Sequence, residues 1–191
     1  AGLAQRALVI ACDLPLVRPI LDAYQSTGIL AQPGHPGMIP GEGAAALCLE
    51  ALATTQSTRL ITYASAGEPN ATLGTTTELP ALRRLLEQVL ANHTSPTLCL
   101  PHSSGTPMHA RSENRILDEL LDPSTARLSL KPFTGHCIGA SGLIETVMAC
   151  AALRKQTGMT GTSLPQGSSI LKIASAMGGK HSMALIDYPH V

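Results

Sequence analysis

In this 191-residue sequence the stretch LKPFTGHCIGASGLIE places Lys131, His136 and Glu145 at fixed offsets around a run of small residues. A second histidine, His102, stands in PHSSGTP, directly after the apolar run PTLCL. Two neutral imidazoles aimed at one point can donate hydrogen bonds to a developing oxyanion. A lysine beside them favours an anion or fixes the tautomer of its neighbour, and Glu145, nine residues after His136, falls where a helix would let it hold the loop. Each histidine also reads as an ordinary polar residue beside a strand, and the pattern alone leaves both readings open. A zinc set from His102, His109, His136 and Cys137 is possible by ligand type, but the spacing matches no compact metal motif, so no metal is expected. A third loop, ASAMGGKHSM, carries Gly178 and Gly179 between two apolar runs; glycine pairs are common turn makers.

These residues need elements to carry them. Residues 7–12, ALVIAC, read as a buried strand. Residues 13–30 are interrupted by Pro15 and Pro19 and read as loop plus a short helix ending near Gly28, and AQPGHPGMIPGEG is loop. AAALCLEAL and RLITYASAG are expected to form two adjacent antiparallel strands. Leu82, Leu85, Leu86, Val89 and Leu90 recur at the spacing of one helical face, with Pro80 suited to a first turn. The rest alternates: strand PTLCLP, loop with His102, helix ARSENRILDELL, strand ARLSLKPF, loop with His136, helix GLIETVMACAALRKQ, then two strands joined through Gly178–Gly179. Strands alternating with helices predict an α/β layered sheet, with the polar loops gathered at the edge where such sheets bind ligands.

Composition narrows the partners. Apolar residues make up 44% of the chain and charged residues only 14%, below the ~25% of soluble domains. The scarcity of charge points to surface covered by another chain or a further segment. Formal net charge is zero, so no basic field is available to collect phosphates, and nucleic acid is not an expected partner. With a single Phe133 and no Trp, base stacking has no platform. No apolar run reaches the ~20 residues of a membrane helix, and no signal peptide opens the chain. Five cysteines without a CxxC pair read as buried free thiols of a reducing, cytoplasmic setting.

Four motifs together carry a resemblance. GEGAAALCLE (41–50) resembles the GEGAGALVLE signature of the β-ketoacyl synthases, condensing enzymes of the thiolase superfamily. PHSSGTP resembles their AHGTGTP, LKPFTGHCIGASGLIE resembles their VKSNIGHTEAAAGxxE, and ASAMGGKHSMALI resembles their NSFGFGGTNxxxxL. The motifs occur in family order and span essentially the whole chain, with residues 13–38 and 155–170 the weakest match. The resemblance implies one thiolase-like region over 1–191, partial, with 1–66 the end of an amino-terminal half and 67–191 the carboxyl-terminal half.

By that resemblance His102 and His136 fall on the two catalytic histidines, Lys131 on the motif lysine and Glu145 on the helix glutamate. Thr106, Met177, Gly178 and Gly179 fall on substrate-contacting positions. No cofactor is implied; the substrate would be the phosphopantetheine thioester of an acyl carrier protein, which is also the expected partner, within a homo- or hetero-oligomer. The family's nucleophilic cysteine belongs upstream of ALVIAC, so the chain is expected to begin past it. Further departures are Met177 for the gate phenylalanine, Lys180–His181 for Thr-Asn, Pro132–Phe133 for Ser-Asn, and Glu113 as the sole acidic residue shortly after GTP. Two functions follow: decarboxylative Claisen condensation if a cysteine-bearing segment is supplied, or a non-catalytic thiolase-fold partner, either a chain-length-factor-like subunit, a scaffold or a secretion accessory.

Overall fold

The computed structural model describes residues 4–51, 57–68 and 78–189. The elements run β1 (Arg6–Asp13), α1 (Arg18–Ser26), β2 (Gly43–Glu50), β3 (Arg59–Gly67), α2 (Pro80–Ala91), β4 (Leu98–Leu100), α3 (Pro107–Leu120), β5 (Ala126–Arg127), α4 (Lys131–Thr134), a 3₁₀ turn at Ile138–Ala140, α5 (Ser141–Lys155), β6 (Ser169–Ala176) and β7 (Lys180–Asp187). The α/β layering expected from the alternation is present. Residue 52, the expected end of the run AAALCLEAL, lies outside the described residues.

The strands form two sheets, a β1–β2 pair and a five-stranded sheet in the order β3-β7-β6-β4-β5. In the latter, β4 runs parallel to β5 and β6, while β6–β7 and β7–β3 are antiparallel. The sequence reading that paired β2 with β3 is corrected: β2 pairs with β1, Val9 opposite Leu47, and β3 pairs with β7, Arg59 opposite Asp187. Adjacency in the chain suggested adjacency in space, a tendency of connections rather than a requirement. The two sheets therefore part between Glu50 and Arg59, and β3 lies in the sheet of the later residues.

Both faces of the five-stranded sheet are covered. Leu82 and Leu86 of α2 and Ile116 and Leu117 of α3 pack on Leu171, Ile173 and Met183. On the opposite face Ala149 and Leu153 of α5 pack on Leu98, Leu100, Ile170 and Ile186. Helix α5 also meets β2, so it lies between the two sheets. This explains its apolar character all round, which suits a helix buried on more than one side. The run ARLSLKPF, expected as a strand, is extended only at Ala126–Arg127 and turns helical at Lys131. Pro132 is placed in the first turn of that helix, where its missing N–H costs nothing.

The thiols divide by sheet. Cys99 and Cys137 are buried and Cys150 is half-buried, but Cys12 and Cys48 are exposed. The expectation that they were all core thiols fails for β1 and β2, because no layer among the described residues covers the outer face of that pair. No helix among the described residues is long and apolar enough to cross a membrane.

Candidate active site

The site is assembled at the ends of β4 and β5. Chain direction puts Pro101–Thr106 just past β4 and Lys131–Ser141 just past β5. Because β4 and β5 are parallel neighbours, the two loops leave the sheet on the same edge. The His102 and His136 rings lie edge to face, centroids 5.3 Å apart.

Each loop is held by its own clamp. Glu113, one helical turn and more into α3, reaches back so that both its oxygens accept backbone N–H groups: His102 at 2.7 Å and Ser103 at 2.9 Å. Ser103 has φ of 45°, a left-handed conformation that a non-glycine residue adopts only when fixed by its surroundings. The His136 loop is pinned by the segment before β2. The N–H of His136 donates to the Ile39 carbonyl at 2.7 Å, and that of Gly41 to the His136 carbonyl at 3.1 Å. Gly41 and Gly135 touch backbone to backbone here; a Cβ on Gly41 would lie 2.5 Å from the Thr134 carbonyl oxygen. That close approach is why the loop motif and the GEG motif both carry glycine at these positions.

Beneath the loops sits a buried ionic cluster. Glu145 Oε1 meets Lys131 Nζ at 2.9 Å and its Oε2 meets Lys172 Nζ at 2.5 Å. Lys131 also donates to the His102 carbonyl, tying the two loops together. Lys172 donates to the Ile173 carbonyl at 2.5 Å and faces the Leu100 and Pro101 carbonyls. All three side chains are buried. Burial alone raises the Glu145 carboxyl, but Lys172 and then Lys131 overcome it and hold the group below its usual range. Burial, and then Lys172, lowers Lys131. Two ammonium groups share one carboxylate, so the cluster carries excess positive charge.

That charge acts on the imidazoles. His136 is pushed down to about 4 by burial and then by Lys131. His102 is lowered well below the ordinary histidine value by burial first, and then by Lys131 and His109. Both rings are therefore neutral at neutral pH. For His136 the tautomer follows from its contacts: Nδ1 accepts the Ile138 N–H at 3.1 Å, so Nε2 carries the proton. A neutral ring with Nε2–H as donor, over a positive base, suits a developing oxyanion or enolate.

The remaining expected residues are placed less centrally. The Thr106 hydroxyl shares a 2.8 Å hydrogen bond with Ser104 at the start of α3. Met177, Gly178 and Gly179 form the β6–β7 turn, with both glycines at positive φ and Met177 exposed. His109 packs edge to face on His102 at 5.1 Å, but among the described residues no group of three or more His, Cys, Asp or Glu is placed to hold a metal ion. Sequence reading missed Lys172 and undervalued Glu113. A lysine inside the apolar run SILKIASA was the available signal, because lysine is almost never fully buried unpaired.

None of the five thiols stands at the start of a long helix facing the imidazoles. Burial raises Cys99 to about 12 and also raises Cys137 and Cys150, the opposite of what a nucleophilic thiolate needs.

Residues 81–161 match the family model described as "Beta-ketoacyl synthase, C-terminal domain". No curated protein matches by sequence. Among solved structures, the ketosynthase in complex with its chain length factor from Xenorhabdus doucetiae superposes with TM-score 0.86 at 18% identity, over 98% of this chain and 54% of that one. A type II polyketide ketosynthase assembly with its acyl carrier protein gives 0.82 at 21% identity, over 99% and 57%. The ketosynthase from module 6 of the bacillaene synthase of Bacillus subtilis 168 gives 0.76 at 16%, over 98% and 42%. The chain thus spans about half the length of the structures it resembles.

Proposed function

We propose, from the match of residues 81–161 to the β-ketoacyl synthase carboxyl-terminal domain model and from the ketosynthase-type fold, that the protein supplies the oxyanion-stabilising half of a ketosynthase-type site. The observation that carries the reading is the His102–His136 pair, 5.3 Å apart above the buried Lys131–Glu145–Lys172 cluster. The substrate is a malonyl or acyl thioester of an acyl carrier protein, bound without a further cofactor, with Thr106 and the Met177–Gly178–Gly179 turn at the substrate edge. The C–C bond to the malonyl carboxylate breaks and carbon dioxide leaves. Imidazole N–H groups hold the thioester enolate oxygen until its carbon attacks an acyl thioester. The acyl-bearing thiolate comes from another segment or subunit of the assembly, since none of the cysteines here meets the requirements of that role. The setting is cytoplasmic and the protein works as an oligomer with thiolase-fold subunits.

A second reading is favoured by those raised thiols and by the exposed Met177 at the gate position. In it the chain is a non-catalytic partner of the chain-length-factor type, or a scaffold or secretion accessory. One experiment separates the two. The chain is incubated with malonyl-acyl carrier protein and conversion to the acetyl form is followed by intact mass. The catalytic reading expects decarboxylation that falls ~10²-fold in His102→Ala or His136→Ala. Carrier binding without turnover, in folded protein, supports the partner reading and removes the first.

A further inference from the structure

A second group of side chains has the geometry of an activated nucleophile and takes no part in the site above. Ser175 Oγ lies 2.8 Å from His181 Nδ1, and His181 Nε2 lies 3.2 Å from Glu68 Oε1. The residues come from three strands or strand ends. Ser175 and His181 are opposite each other in the β6–β7 ladder, and Glu68 follows β3 directly. The resemblance gives none of them a role; His181 stands where the family has asparagine.

Glu68 is itself anchored. Its carboxylate accepts the Ala81 N–H at 2.9 and 3.0 Å and the Leu82 N–H at 3.3 Å, at the start of α2. An acceptor facing Nε2 requires the proton on that nitrogen. Nδ1 is then a base, and the Ser175 hydroxyl is the group that donates to it. Burial is the main influence on His181 and lowers it below the ordinary histidine value, against Glu68, which raises it; the ring is neutral at neutral pH. A hydroxyl bonded to a base whose other nitrogen is oriented by a carboxylate is the arrangement by which serine nucleophiles are recognised on unrelated folds.

The group is also reachable. Ser175 is half-buried, and both it and His181 line a cavity of about 1090 Å³ shared with Lys180, His102 and Lys172. Leu47, Leu143 and other apolar residues also line this cavity, a lining suited to an acyl chain.

We propose that Ser175, His181 and Glu68 form a second, serine-based acyl site that accepts the acyl group of an ester or thioester. As Ser175 Oγ adds to the carbonyl carbon, its proton passes to His181 Nδ1. The tetrahedral species collapses with cleavage of the carbonyl–sulfur or carbonyl–oxygen bond, and the proton on Nδ1 goes to the departing thiolate or alkoxide. An ester on Ser175 remains. Water, deprotonated by the same Nδ1, adds to that ester and releases the carboxylic acid as the proton returns to Oγ. Glu68 Oε1, facing Nε2, stabilises the imidazolium while Nδ1 holds the transferred proton.

The test uses the full chain with p-nitrophenyl acetate and, separately, with a fluorophosphonate. The expected result is p-nitrophenol release with a burst, and one acetyl or phosphonyl group mapped to Ser175. Release falls ~10²-fold or more in Ser175→Ala and His181→Asn, each checked for native circular dichroism and melting. Ser175→Cys exchanges the hydroxyl for a thiol and is expected to move the acetyl group onto position 175 alone, away from the five native cysteines. Equal release from Ser175→Ala, or absence of any adduct on the folded chain, overturns the proposal. So does label confined to a cysteine, an outcome that leaves the ketosynthase reading untouched, because the malonyl decarboxylation experiment depends on His102 and His136 instead.

Discussion

Strands β1 and β4 are both short apolar runs, yet they end up in opposite surroundings. All three residues of β4 are buried. In β1, Leu8 is 66% exposed and Ile10 65%, although ALVIAC is as apolar as TLCL. The difference is the number of layers. β4 is flanked by β5 and β6 and covered on both faces, whereas β1 has one paired edge and, among the described residues, no cover on the face that carries Leu8 and Ile10. A two-stranded sheet is marginal by itself. An apolar run therefore tells that a strand is meant to be covered on both faces, and leaves open what covers it.

The sharpest way to probe that contrast is to damage the covered region where it is least tolerant. Glu145→Gln leaves Lys131 and Lys172 buried with no counter-charge and is expected to cost ~3–5 kcal/mol, measured by urea denaturation. A change under ~1 kcal/mol would mean that the cluster is wet and not a buried ionic core.

Acid acts next, and on the same region. His136 binds its proton at about 4 in the folded chain and near 6.5 when unfolded. Between those values the unfolded state holds more protons, so stability is complete above pH ~6.5 and falls as pH drops toward 4. The contribution of this group is on the order of 3 kcal/mol, and lowered His102 acts in the same direction. Lowered Glu145 adds loss below its ordinary carboxylate range. Melting temperature against pH checks the sign; His136→Gln, a neutral mimic, flattens the slope.

The smallest effect on stability is expected on the uncovered pair. Ile10→Lys changes the denaturation midpoint by less than ~0.5 kcal/mol, as surface substitutions do. It nevertheless reduces the self-association expected of an exposed apolar strand, read by sedimentation. A wild-type chain that stays a monodisperse monomer would break the comparison, since β1 would then need no cover.

The sequence was most informative where chemistry and local geometry coincide. The α2 face and the placing of His102 and His136 in loops between strand and helix rest on periodicity and turn chemistry that a few residues state. Two things were illegible. The partner of β3 was one, because strand pairing over more than a hundred residues is fixed by register against β7, including the Arg59–Asp187 ion pair, and not by proximity in the chain. The partner of Lys172 was the other: a lysine inside an apolar run signals burial with a counter-charge, but nothing in the chain shows that α5 brings Glu145 to it.

By itself, then, the amino-acid order determined the alternation of strands and helices, the overlong reading of β5 apart, and which loops carry imidazole. Those properties depend on contacts within a turn or two of chain. Tertiary structure alone decided that Lys131, Glu145 and Lys172 share one buried charge balance, and that Glu113 serves the His102 loop. It also brought Ser175, His181 and Glu68 into line, which needs three chain segments to meet to within about a hydrogen-bond length. Such a meeting is set by packing of whole layers and has no signature in the local sequence.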